Sequence, residues 1–245
     1  MLELRNITFD VWEENEKVEI LQDVSLIIEP KSFVVITGPN GGGKSTLAKL
    51  IMGIKKPVSG SILLNGQDIT SLGVTERAKM GIGFAFQQPV RFKGLTVRDL
   101  LCLAAGQTLN TEDACQYLYE VGLCAVDYID RELNASLSGG ELKRIEIAMV
   151  IARGTGLSVF DEPEAGIDLW SFNNLIRAFE KMRSETKGAV VIISHQERIL
   201  EIANKIVVIA DGKITAQGSR GEILPELFSQ HTCSIFCPKE DHQHE

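Results

Sequence analysis

Aromatic residues are scarce, 6% of 245 positions, and proline is scarcer still, with seven. No apolar run approaches the roughly 20 residues needed to span a bilayer. Direct membrane insertion is therefore excluded, and any membrane role has to be borrowed from a partner. The opening Met1 to Phe9 reads as a strand and lacks the basic-then-apolar layout of a signal peptide. Basic charge is in short supply: 25 Lys and Arg against 33 Asp and Glu leave a net charge of −8. A duplex-binding module normally carries a basic face, so nucleic acid is not expected as a partner. A nucleotide is a different matter, because a nest of backbone N–H groups and one lysine can hold phosphate on an acidic protein. Cysteine is limited to five, an odd number, and Cys102, Cys115 and Cys124 stand singly in apolar stretches. That pattern reads as reduced thiols in a cytoplasmic protein. Hydrophobic residues are not lacking: at 44% they suffice for one large domain or two small ones, and they exclude disorder.

The opening third reads as strands, Leu2 to Phe9 and Glu19 to Ile28, followed by the buried run Phe33 to Thr37. A glycine-rich turn and a helical pattern through Leu47, Leu50 and Ile51 come next. Gly60 to Ile69 resembles an edge ribbon turning at Asn65-Gly66. Between Leu95 and Asn134 the spacing of Leu100, Leu103, Ala104, Tyr117, Leu118 and Val121 predicts helices, an inserted helical subdomain. Helical spacing resumes over Glu141–Ala152. Further buried strands are expected at Leu157–Phe160, Ala189–Ile193 and Lys205–Ala210, with a closing hairpin at Asp211-Gly212-Lys213. Strands alternating with helices predict an α/β domain with a mainly parallel sheet. The last stretch, residues 230–245, is expected to be a tail.

Gly38-Pro39-Asn40-Gly41-Gly42-Gly43-Lys44-Ser45-Thr46 fits the phosphate-binding loop G-x-x-x-x-G-K-[ST]. Small residues let successive N–H groups wrap a β-phosphate, and the following helix offers the positive end of its dipole. Lys44 adds a cation for the β- and γ-phosphates of ATP, and the Ser45 hydroxyl suits Mg²⁺. Placement between an apolar strand and a helix sets this loop apart from an ordinary glycine-rich turn. Leu157 to Phe160 ends in Asp161-Glu162, which puts two carboxylates at a strand's carboxyl end, where open α/β sheets bind ligands. Asp161 is a candidate Mg²⁺ ligand, and Glu162 a candidate general base for water attacking the γ-phosphate. Leu137-Ser138-Gly139-Gly140-Glu141 opens a helix with Ser138 as N-cap.

The order of phosphate loop, helical insert, Ser-Gly-Gly and strand with Asp-Glu resembles the ATP-binding cassette (ABC) ATPases over essentially residues 1–225. The resemblance implies a RecA-like sheet, an N-terminal antiparallel β subdomain and a helical insert at about 95–150, the domain spanning 1–229. It implies that Gln87 reaches Mg²⁺ and the attacking water, with Gln88 as a competing register. It places the D-loop at Ala165-Gly166-Ile167-Asp168 and makes His195 the switch histidine on the γ-phosphate. Ser138, Gly139 and Gly140 then contact the ATP of a second copy in an ATP-dependent homodimer, while Glu141 departs from the family's usual Gln. The adenine-stacking aromatic is absent from its usual place, where Val11 sits beside Trp12; Trp12 is either that stacking residue or a surface one.

Three stretches are similar to the SufC family, ATPases of iron–sulfur cluster assembly: Ala85-Phe86-Gln87-Gln88-Pro89-Val90, Ser138 to Arg144, and His195 to Leu200. That similarity implies a soluble SufB-like scaffold as partner; the alternative is the nucleotide-binding subunit of a membrane transporter. The family's docking surface corresponds to Pro89–Leu103, where Phe92, Leu95, Val97, Leu100 and Leu101 either form an apolar seam or in part belong to the core of the insert. In the tail, His231, Cys233, Cys237, His242 and His244 are candidate ligands for iron, zinc or a cluster, although the Cys spacing is not that of a zinc site.

Overall fold

The computed structural model describes residues 1–13, 16–133 and 137–236, with Glu13 and residues 230–236 described by backbone alone. Strand β1 (Leu2–Glu13) and β2 (Glu16–Ile28) form an antiparallel arm, and β3 (Phe33–Thr37) leads through the glycine-rich loop into α1 (Lys44–Met52). The ribbon β4 (Ser59–Leu64) and β5 (Gln67–Asp68) turns at Asn65-Gly66, both of which have positive φ. Helix α2 (Val74–Lys79) and β6 (Ile82–Ala85) precede the insert, built of α3 (Val97–Ala105), α4 (Thr111–Glu120), α5 (Ala125–Tyr128) and α6 (Gly139–Arg153). The chain then runs β7 (Leu157–Asp161), α7 (Leu169–Glu185), β8 (Ala189–Ile193), α8 (Glu197–Glu201), β9 (Lys205–Ala210), β10 (Lys213–Ser219) and α9 (Arg220–Phe236). Helix α9 carries the backbone to Phe236, past the start assigned to the tail. Of the tail's candidate ligands, His231 and Cys233 fall where only backbone is described; Cys237, His242 and His244 lie outside the described residues.

Two sheets result. One is antiparallel, in the order β2-β1-β4-β5; the other runs β10-β9-β3-β8-β7-β6. In the second sheet β9, β3, β8, β7 and β6 are mutually parallel, and β10 closes the edge antiparallel to β9. Strands β3, β7 and β8 are buried at every residue, as strands covered on both faces must be. Their alternate side chains feed two separate cores. Val34, Ile36, Val191 and Ile193 pack with α1 and the antiparallel sheet. Phe33, Val35, Val190 and Ile192 pack with α6, α7 and the insert, where Phe33 and Phe160 both meet Phe179 edge-on. The fold is therefore the expected one: a mainly parallel sheet, an antiparallel β subdomain and a helical insert.

Adjacency in the parallel sheet places the chemistry. Strands β3, β8, β7 and β6 lie side by side. Their carboxyl ends carry, in that order, the glycine-rich loop, Ser194-His195, Asp161-Glu162 and Phe86-Gln87. Four segments far apart in sequence so meet along one rim, as ligand sites of open α/β sheets do.

Candidate active site

The loop leaving β3 needs glycine for two reasons. Gly38 has φ 129°, and a Cβ there would come within 2.0 Å of Ile209 O. Such a backbone path is open only to a residue without a side chain. Gly43, at φ 100°, then turns the chain into α1. Lys44, buried to 5% exposure, folds back over the loop and donates to Gly38 O at 2.8 Å and Pro39 O at 2.7 Å. Burial pulls its pKa down, and the negative charges of Glu162 and Asp161 oppose that shift. The ammonium thus spans the loop through two backbone carbonyls.

Ser45 Oγ donates to Asp161 Oδ1 at 3.0 Å, joining the start of α1 to the end of β7. Asp161 is 2% exposed, and burial pushes its pKa up despite the Ser45 hydrogen bond. The charges of Lys143 and Lys49 also oppose that shift, and Ser45 is the one side chain that bonds the carboxylate directly among the described residues. The hydroxyl of Ser45 and the carboxylate of Asp161 are oxygen donors, the kind that suit Mg²⁺ rather than a soft metal, and the carboxamide of Gln87, bonded to the neighbouring Glu162, carries a further oxygen. These residues fit the ion.

Glu162 is held with φ 46°, a region that costs a non-glycine residue about 1–3 kcal/mol. Its N–H donates to Ile193 O at 3.0 Å, tying it to the end of β8. Gln87 Nε2 donates to Glu162 Oε2 at 2.6 Å, and His195 Nε2 lies 3.8 Å from Glu162 Oε1. Burial depresses the His195 pKa, Lys44 adds to that by repulsion, and Glu162 opposes both. Burial and Lys44 thus favour the neutral imidazole. Gln87, not Gln88, is the glutamine that meets the carboxylate.

The structure thus brings Lys44, Ser45, Gln87, Asp161, Glu162 and His195 to one rim. It does not bring the Ser-Gly-Gly segment there. Ser138 caps α6 in a reciprocal box with Glu141: its hydroxyl accepts from Glu141 N at 3.3 Å, and Glu141 Oε2 accepts from Ser138 N at 2.7 Å. Tyr128 Oη adds a bond to Glu141 Oε1 at 2.5 Å, so the departure to Glu is occupied by local donors. Gly140 instead abuts the turn after β7, where a Cβ would meet Gly166 O at 2.9 Å. Trp12 is 73% exposed on the β1–β2 arm opposite Lys17. Asp168 caps α7, accepting from Trp170 N and Ser171 N, and leaves Leu169 and Trp170 exposed beside it.

The apolar seam divides. Val97, Leu100 and Leu101 are buried in the insert's own core, because α3 packs that face against α6. Phe92 and Leu95, with Leu100 at its wall, line a cleft of about 360 Å³ together with Phe84, Phe86, Val90 and Leu103.

Behind the rim lies a buried charged cluster that motif reading missed. Lys143 is fully buried, and Glu146 and Glu164 each carry a buried oxygen with no hydrogen-bond partner among the described residues. Ser194 Oγ donates to Glu164 Oε1. Burial pulls the Lys143 pKa down, pushes Glu164 up, and pushes Glu146 up to about 7. Nothing in the local sequence sets Lys143 and Glu146 apart from Glu141 and Arg144, the other charged residues at the start of the same helix.

Comparison with known proteins agrees with this arrangement. A family profile described as ABC transporter matches residues 21–165. The chain is 39% identical, over 84% of its length and 85% of the relative's, to an uncharacterized ABC transporter ATP-binding protein of Methanocaldococcus jannaschii. It is 34% identical, over 84% and 87% of the two chains, to LptB, the lipopolysaccharide export system ATP-binding protein of Acidithiobacillus ferridurans. Among solved structures, a dimeric ATP-binding cassette in a post-hydrolysis state with ADP and Pi superposes at a TM-score of 0.80, with 25% identity, covering 90% of this chain and 99% of that one.

Proposed function

The chain belongs to the ABC transporter ATPase family, and from that premise we propose that it is a Mg²⁺-dependent ATPase that closes as a dimer on ATP to drive a docked partner. The observation that carries the reading is the Gln87–Glu162–His195 contact set one residue from the Ser45–Asp161 bond. Lys44 exchanges the Gly38 and Pro39 carbonyls for β- and γ-phosphate oxygens, and the N–H groups of Gly38–Thr46 wrap the β-phosphate. Ser45, Asp161 and Gln87 would hold Mg²⁺, which supplies neutralisation of the developing phosphate charge. Glu162 accepts the proton of the attacking water, and His195 donates toward the γ-phosphate. Ser138, Gly139 and Gly140 supply the second copy's half of the site, which accounts for their separation from the rim within one chain. Leu169 and Trp170, 72% and 81% exposed next to Asp168, supply apolar surface for that closure.

For the partner, the names carried by the relatives favour a membrane transporter, with this chain as its nucleotide-binding subunit docked at the Phe92–Leu95 cleft. Among the described residues no helix is long and apolar enough to cross a membrane, so such a partner would supply the spans. A second reading, a SufC-like ATPase acting on a soluble SufB-like scaffold, is favoured by Ala85–Val90, Ser138–Arg144 and His195–Leu200. Isolation of the native complex from soluble extract without detergent, and in parallel from solubilised membranes, separates the two. A multi-span partner recovered only with detergent supports the transporter; a soluble scaffold recovered without it supports the second reading.

A further inference from the structure

We propose that Glu146 and Lys143 are positioning residues for hydrolysis, holding the backbone N–H and C=O of Phe86 and so setting where Gln87 stands against Glu162. The proposal rests on the reading of Glu162 as base and Gln87 as its partner. Strand β6 ends at Ala85, so the next peptide has left the sheet ladder. The N–H and C=O of Phe86, on either side of its Cα, are taken up by one turn of α6. Glu146 Oε1 accepts from Phe86 N at 3.0 Å, and Lys143 Nζ donates to Phe86 O.

A buried lysine and glutamate three residues apart would ordinarily bond each other. Here Nζ and Glu146 Oε2 form only a long ion pair at 4.0 Å, and each side chain makes its hydrogen bonds to the backbone. Lys143 Nζ also donates to Asp161 O at 3.3 Å. One ammonium thus bridges the carbonyl preceding Gln87 and the carbonyl preceding Glu162. The separation between those two carbonyls fixes the reach of the Gln87 carboxamide to Glu162, which is 2.6 Å. Both gripping residues lie on the first two turns of α6, the helix that Ser138 caps. A shift of α6, whether from a second copy at its N-terminus or from a partner in the cleft that Glu146 and Phe86 share, would move Gln87 relative to the base.

The test is a mutant cycle on the full chain, measuring Mg-ATP turnover and nucleotide affinity. Glu146→Ala should lower kcat by about 10-fold or more while KM and the ATP Kd stay within about 2-fold, since the phosphate loop is untouched. Glu146→Gln, whose carbonyl still accepts the Phe86 N–H, should restore most of the loss. In a Gln87→Ala background Glu146→Ala should cost less than about 2-fold more, because both act through one contact. Glu146→Asp draws the carboxylate back by one methylene and carries the same test if the alanine variant melts below the assay temperature. Multiplicative losses, a Glu146→Ala kcat within about 2-fold of the parent, or a Gln variant as impaired as the Ala one would each overturn the proposal. Gln87→Ala and Glu162→Gln both turning over at the parental rate would instead overturn the reading of the base, and the proposal with it.

Discussion

Replacing Arg77 with methionine tests how the phosphate loop's helix is anchored. Arg77 is fully buried, and among the described residues its bonds all go to backbone oxygens. Nη1 donates to Leu50 O at 2.6 Å and Ile51 O at 2.8 Å, Nε to Leu72 O at 3.0 Å, and Nη2 to Thr70 O at 3.1 Å. The guanidinium therefore closes the C-terminal end of α1, whose carbonyls and negative dipole end call for a cation. Methionine fills much of the volume and supplies no donor. Each charge-assisted bond contributes about 1.5–3 kcal/mol, and water re-entering at the helix end recovers part of that. The net loss should be about 3–5 kcal/mol, in line with other buried charged networks broken on one side. For a chain of this size, about 2–4 °C per kcal/mol converts to a Tm drop of about 6–20 °C in a calorimetric scan. Arg77→Lys, with three donors on a shorter stem, should fall between. A Tm within about 2 °C of the parent for the methionine variant would refute the reasoning.

Lys44→Ala should weaken nucleotide binding itself: ATP at 100 times the parental Kd stabilises the parent by about 2.7 kcal/mol, and the variant should lose most of that thermal shift. An unchanged shift would show that the lysine does not meet phosphate. His195 should make apo stability pH-dependent. Its folded pKa lies below its unfolded one, so the unfolded chain takes up a proton first as pH falls, and stability declines on acidification below the ordinary histidine range. In urea melts between pH 7.5 and 5.5, His195→Gln should show a shallower decline than the parent; parallel declines would contradict this. Glu162→Gln should nearly abolish turnover without loss of ATP binding.

Legibility from sequence followed burial. Strands β3, β8 and β9 begin and end where the apolar runs at Phe33, Ala189 and Lys205 do, because a strand covered on both faces has no polar face to blur its limits. Strand β6 is only four residues long and carries a glycine, too short for periodicity to speak. Helix α7 has its own signal, the stripe Phe172, Leu175, Ile176 and Phe179 at helical spacing, but no chemistry marks it. The site's parts were legible as motifs, while their contacts were not. That Gln87 rather than Gln88 meets Glu162 follows from β6 lying beside β7, which local pattern does not specify. Lys143 and Glu146 look in sequence like a solvated helix face; only the packing of α6 between the insert and the sheet turns them inward. Apolar spacing likewise does not say which neighbour covers Val97, Leu100 and Leu101, which α3 turns into the insert's own core while Leu100 also walls the cleft.

The central claim, hydrolysis of ATP by water activated at Glu162, is tested most directly by single-turnover hydrolysis in Glu162→Gln, with size-exclusion chromatography in Mg-ATP. The carboxamide occupies the carboxylate's space and still accepts from Gln87, but it cannot take up a proton. The rate should fall by roughly 10²–10⁴-fold, and an ATP-bound dimer should accumulate on the column. Hydrolysis at the parental rate, with no dimer retained, would contradict the account.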